Sequence, residues 1–175
     1  MLMDRIMGVF RLNPATFEEV EHDRTATGQA ALVVAIVAIL AAIGAGFAAQ
    51  LAGASFIANF ISALIWTFLG WLVWAAISFF VGTTLFNGKA TLDEMLRVIG
   101  FAYAPQMLAI IPCIGGLIGA IWSLIAGFIA VRQGLDLDNT RALLTILVGF
   151  VVYIIGSILI NVLVGGAAAL LGQTG

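Results

Sequence analysis

Charge is scarce in this sequence: 9% of its 175 residues are Asp, Glu, Lys or Arg, against about 25% in ordinary soluble domains. Sixteen such groups cannot coat a water-soluble globule of this length, so lipid must supply most of the solvent. The lone cysteine, Cys113, excludes an internal disulfide and a cysteine-ligated metal site. Seven Lys and Arg form no basic stripe, which removes nucleic acid from the partner classes. The lone histidine, His22, is spaced Glu-x-x-His from Glu19 on one helix face, but a di-metal bundle needs two such motifs, so a solvated acidic face is expected and no metal or other cofactor. A polar, amphipathic stretch over 1–29 precedes the first apolar run, which is itself of spanning length; no cleavable leader fits, and the first span is expected to act as an uncleaved anchor.

What is present in abundance is apolar side chain, 63% of the chain, together with 20 glycines. Every charge falls within 4–24, 89–97 or 132–141, leaving uncharged runs of 64, 34 and 34 residues at 25–88, 98–131 and 142–175. At about 20 residues per spanning helix these runs hold two, two and one spans, near 30–51, 57–85, 96–111, 116–131 and 142–171. The fold class expected is therefore all-α: a polytopic bundle of five transmembrane helices over 30–175, preceded by a short amphipathic N-terminal segment over 1–29. Gly53-Ala54-Ser55 and Pro112-Cys113-Ile114-Gly115-Gly116 supply the two uncharged turns. With five spans, Arg5, Arg11, Arg24, Lys89, Arg97, Arg132 and Arg141 all fall on one side and none on the other. Because Lys and Arg near span ends stay in the cytoplasm, the N-terminus is expected there and the C-terminus outside or in a lumen.

At the N-terminus Met3, Ile6, Met7 and Phe10 recur at helical spacing, which suits a short helix lying in the membrane interface. Asn13-Pro14 reads as a cap followed by proline at the first helical position, opening a second helix whose Phe17 and Val20 would face lipid. Further on, Thr91-Leu92-Asp93-Glu94 is a capping box that starts the third helix before the bilayer. Arg97 would then sit at headgroup depth, touching lipid phosphate or pairing with Asp93 at i, i+4. Asp136, Asp138 and Asn139 are expected to cap the last span rather than bind calcium. With Arg11, Arg97 and Arg141 as cations and Phe10, Pro14 and Phe17 beside them, anionic headgroups on the cytoplasmic side are the expected contact.

No Asp, Glu, Lys, Arg or His lies inside any of these spans, which argues against a proton-coupled pump. Intramembrane hydrolysis would need acidic pairs, a Ser–His pair or a zinc motif, and neither these nor a phosphate-binding loop occurs, so enzymatic function is not expected. Gly115 and Gly119 form a GxxxG at which helices can approach closely, within the monomer or between subunits. Trp71, on one face with Thr67, Trp74 and Ser78, is placed between helices near mid-bilayer. In the third span Pro105 removes a donor and frees the Phe101 carbonyl, which predicts a kink satisfied by Tyr103, Gln106 or water. Tyr153, Ser157 and Asn161 form a polar stripe in the last span that suits interhelical hydrogen bonding better than a pore.

Leu12-Asn13-Pro14 with Phe17, Asn87-Gly88-Lys89 leading to Leu96-Arg97-Val98-Ile99-Gly100-Phe101-Ala102-Tyr103-Ala104-Pro105, and the Trp122 helix followed by Arg141-Ala142 together carry a resemblance. In these segments the chain resembles the Yip domain family, five-span membrane proteins whose eukaryotic members bind Ypt/Rab GTPases and act in vesicle traffic. The resemblance implies a cytosolic N-terminus and a lumenal or external C-terminus, in agreement with the charge count. The trafficking branch's long N-terminal region with an Asp-Leu-Tyr-Gly-Pro-type motif is missing, which weighs against GTPase binding and makes the chain similar to short prokaryotic members of a cell (inner) membrane. A non-enzymatic scaffold that organises membrane or recruits partners is the expected function. A small permease or channel built on the Pro105 kink, Gln106 and Asn161, or an accessory subunit of a membrane complex, are the alternatives, and a homo-oligomer or membrane-protein partner is compatible with each.

Overall fold

The computed structural model describes residues 1–111 and 114–172, with the side chains of 157 and 160–172 outside that description. Pro112 and Cys113 of the expected turn, and the side chains of Ser157 and Asn161, therefore lie outside the described residues. The chain forms α1 (Leu2–Phe10), α2 (Pro14–His22), α3 (Ala26–Leu51), α4 (Phe56–Phe86), α5 (Leu92–Ala102), a 3-10 helix (Ala104–Ile110), α6 (Ile114–Gly134) and α7 (Asn139–Gly172). No strand occurs among the described residues.

Local chemistry fixes most of these boundaries. The Asn13 side chain accepts from the Ala15 amide at 3.1 Å ahead of Pro14, and the Ser55 hydroxyl accepts from the Ala58 amide at 3.4 Å. Asn87, with φ 57°, closes α4 in the left-handed conformation that asparagine tolerates. The Thr91–Glu94 capping box is formed in both directions, at 3.3 and 2.7 Å. Asp138 accepts from the Arg141 amide at 2.9 Å, the capping role expected at the start of the last helix.

Four stretches are long and apolar enough to cross a bilayer: α3, α4, α6 and Asn139–Gly156 of α7. The expected third span, 96–111, is not a single helix and does not kink at Pro105. Its α-helix stops at Ala102, because proline disfavours α geometry in the residue before it and has no amide to give, and a 3-10 helix takes over. The broken segment nevertheless runs alongside α3. Gly100 packs against Ala30 and the Ala109 carbonyl against Gly44, positions on α3 separated by about 21 Å of helix rise. On its other side, Gly134 meets Val98, Gly119 meets the Pro105 carbonyl and Gly115 meets the Leu108 carbonyl, so α6 runs back antiparallel. The Gly115/Gly119 pair thus serves a contact within the monomer, between α6 and the 3-10 helix.

Trp71 sits between helices as expected, 8% exposed, with its indole N–H donating to the Leu96 carbonyl at 2.9 Å. The first two helices depart from expectation. Phe17 and Val20, expected to face lipid, are fully buried and join Val33, Val98, Phe101 and Ala126 in one core. Helix α2 lies on α5 and α6 instead of on the bilayer, and an apolar face gains as much from protein as from lipid.

A Cβ on Gly119 would stand 2.8 Å from the Pro105 carbonyl oxygen, whereas one on Gly127 of the same helix would meet nothing within 4 Å. Gly119→Ala should therefore cost about 1–3 kcal/mol and lower the unfolding midpoint of the detergent-solubilised protein by several degrees. Gly127→Ala should leave that midpoint unchanged or slightly raised, since alanine favours a helix by about 1 kcal/mol over glycine.

Candidate functional site

The capping box starts α5 so that Arg97 points back toward the end of α2, where helix carbonyls lack intrahelical donors. Its guanidinium is 2% exposed. Nε donates to the Val20 carbonyl at 3.2 Å and Nη2 to the Glu21 carbonyl at 2.6 Å. Nη1 donates to the Thr27 hydroxyl at 3.3 Å and to the Asp93 carboxylate, and Glu94 Oε1 stands 4.0 Å from Nη2. One cation thus closes α2 from below and ties it to the first turns of α3 and α5. The expected pairing with Asp93 forms. The expected contact with lipid phosphate does not, because the group is enclosed by protein and its donors are engaged.

A second arginine fastens α1. Arg5 gives Nε and Nη2 to Glu19 Oε1 at 2.9 and 2.8 Å, Nη2 to Asp23 at 2.6 Å and Nη1 to the Gln29 side chain at 3.0 Å. Asp23 also accepts from the Thr25 hydroxyl and amide, at 2.6 and 2.9 Å. These bonds from Thr25, with Arg5 next in weight, hold the Asp23 carboxyl down to about 2. In the sequence Arg5 reads only as one of the seven cations of the cytoplasmic side. The signal that could have found it is its place beside Ile6 and Val9 on what proves to be the buried face of α1. Met3 and Met7 of the expected apolar side are 68% and 45% exposed, while Ile6 of that side is buried with Arg5 and Val9 against the bundle, so the expected face divides between the outside and the core.

Glu21 is the uncompensated group of this end. It is 7% exposed, and its Oε2 is buried with no hydrogen-bond partner among the described residues. Burial first, then the neighbouring charge of Asp136, pushes its carboxyl up to about 7; Glu94 and Glu18 act in the same direction and His22 opposes them. Asp136 belongs to the turn after α6, where it adopts φ 53°, and Gln133 beside it donates to Glu18 at 2.7 Å.

The remaining expected site residues divide by exposure. Arg11 and Pro14 are exposed, and Arg141 is exposed with a surface ion pair to Asp138 at 3.3 Å. Phe10 is half-buried, its ring centroid 6.5 Å from that of Trp122, whose indole N–H donates to the Phe10 carbonyl at 3.1 Å. Arg97 and Phe17 are interior, so the proposed lipid-contact set does not come together as one surface. Pro105 is buried against α6, and Tyr103 and Gln106 border a cavity of about 360 Å³ between α4, α5, α6 and α7.

The chain matches the family model described as Yip1 domain over residues 7–170. No curated protein and no solved structure matches it. The match covers nearly the whole chain, and the protein belongs to the Yip1 domain family, as a multi-pass helical membrane protein.

Removing the Arg97 cation strands two helix-end carbonyls and a carboxylate, so Arg97→Gln should cost about 3–5 kcal/mol. Arg97→Lys should recover little of this, since an ammonium cannot reproduce the fork that meets Val20, Glu21 and Asp93 together. Amide hydrogen exchange should show α1 and α2 deprotected first in both variants. The raised Glu21 carboxyl gives the sign of a pH dependence: docking of α2 is fully supported while this group is protonated and loses support as pH rises from the ordinary carboxylate range through about 7. Exchange of α2 amides, corrected for intrinsic rate, should therefore accelerate between pH 5 and 8 in the native protein and change little in Glu21→Gln.

Proposed function

We propose that this Yip1 domain protein is a non-enzymatic membrane scaffold whose charged end faces the cytoplasm and holds an amphipathic helix against anionic lipid. The observation that carries this reading is the outer stripe of α1. Met3, Met7 and Arg11 follow one another at i+4 spacing, all exposed, while Arg5 and the inner face of the same helix are fixed to the bundle. Two flexible apolar side chains followed by a cation that can reach outward suit the boundary between acyl chains and headgroups. Arg24 and Lys89 are also exposed, without an ion pair among the described residues. Together with Arg11 and Arg141 they form the cationic set proposed to meet anionic headgroups, in place of Arg97.

In this reading the broken segment formed by α5 and the 3-10 helix is the third of five crossings. Eleven residues of α-helix and seven of 3-10 helix reach roughly 30 Å end to end, the thickness of the hydrocarbon layer. Five crossings leave the N-terminus cytoplasmic and the C-terminus external or lumenal, with the basic residues on the cytoplasmic side. The small loops fit a prokaryotic cell membrane.

A spin label at Met7→Cys, with Cys113→Ser to remove the native thiol, reports the contact in nanodiscs. Mobility should fall when phosphatidylglycerol replaces part of a phosphatidylcholine bilayer and recover in 1 M salt. Arg11→Glu should weaken the response by about 1–2 kcal/mol, the amount expected when one surface cation is lost and an anion gained. A label indifferent to both lipid charge and salt would remove the basis for the reading.

A further inference from the structure

The mid-bundle cavity raises a separate question: where do its polar groups find hydrogen bonds? Tyr103, Gln106, Ser123 and Tyr153 all line it, and none of their side chains has a hydrogen-bond partner among the described residues. The Ser123 hydroxyl lies behind this lining, fully shielded and without a partner among the described residues. A bilayer interior offers no bulk water, so polar groups left open there are costly. Two phenols and an amide converging on one space of about 360 Å³ therefore form a recognition surface awaiting a complementary group.

Three features define what fits. No Asp, Glu, Lys, Arg or His lines the cavity, and the nearest arginine on the same helix, Arg97, has its donors engaged elsewhere, so a charged headgroup would find no counter-ion. The lining is otherwise apolar, supplied by Trp74, Ile99, Leu124 and Phe150 among others. Leu124, Phe150 and Tyr153 are 59%, 44% and 44% exposed on the outside of the bundle, which places the mouth on the lateral surface. A water-soluble solute would have to cross the hydrocarbon layer to enter there, whereas a lipid is already present.

We infer that this cavity binds an uncharged lipid carrying hydroxyl or ester groups, of the glyceride class, which enters sideways between α6 and α7. The amide of Gln106 and the hydroxyls of Tyr103 and Tyr153 supply both donors and acceptors to the glycerol and ester oxygens. The acyl chain leaves through the mouth bordered by Leu124 and Phe150. Along α6 the site extends from Ala120 to Gly127, about 10 Å of helix, enough for the head of such a lipid but not its tails.

The test uses the full chain in phosphatidylcholine nanodiscs doped with a diacylglycerol bearing a photoreactive diazirine near the glycerol. Labelling should saturate, fall under excess unlabelled diacylglycerol and map to peptides covering 120–127 and 150–153. Gln106→Leu and Tyr103→Phe should each weaken it about five- to tenfold, the loss expected for a buried hydrogen bond. Gly127→Leu provides a second arm, because its added side chain starts in open space and fills the cavity without displacing backbone; it should abolish specific labelling while the protein elutes as the native one does. Labelling that is not competed, that spreads evenly over the outer faces of α3 and α4, that is matched by a phosphatidylglycerol probe, or that survives Gly127→Leu would overturn the inference.

Discussion

The guanidinium of Arg97 joins three stretches of chain that are remote in sequence: the end of α2, the first turn of α3 and the start of α5. An enclosed cation is costly unless each donor is met, and this one meets two backbone carbonyls, a hydroxyl and a carboxylate. The arrangement explains why α2 can lie on the bundle. Its last carbonyls, which would otherwise turn toward water, are closed by protein, and its apolar residues Phe17 and Val20 are free to enter the core. Arg5 repeats the solution one helix earlier, binding two carboxylates and an amide.

The parts of this structure legible in sequence are those whose cause is local. The Thr91–Glu94 box and the Asn13-Pro14 start each depend on residues within a few positions, and each forms as read. The segregation of charge from apolar runs likewise follows from composition and gives four long helices at nearly the anticipated places. What could not be read depends on partners far along the chain. The backbone acceptors of Arg97, on Val20 and Glu21, lie more than seventy residues away, and the nearby Asp93 would pair equally with a buried clamp or a snorkelling surface cation. Phe17 and Val20 illustrate a second ambiguity: in a membrane protein an apolar face is equally compatible with lipid and with a neighbouring helix. Pro105 illustrates a third. Its chemistry dictates an interruption, but whether the chain kinks or changes helix type is decided by Gly44, Gly115 and Gly119, which let two backbones come close enough for the tighter helix to fit.

Membership of the Yip1 domain family places the chain among multi-pass membrane proteins, and the structure shows where this chain departs from a plain bundle. One end carries an ordered polar assembly built from α1, α2 and the turn after α6, with an acidic side chain, Glu21, left without compensation inside it. The middle carries hydroxyls and an amide facing open space. A bundle selected only for crossing lipid would need neither.

These two regions share one rod. Helix α5 has eleven residues; Arg97, near its middle, grips α2, while Ile99 and Ala102, less than two turns further on, form part of the cavity wall. A short helix is stiff over such a distance, and its far end is released from the α-helical ladder where the 3-10 geometry begins. The wall of the cavity and the closure of α2 are thus set by the placement of one short helix, and neither can be positioned without fixing the other.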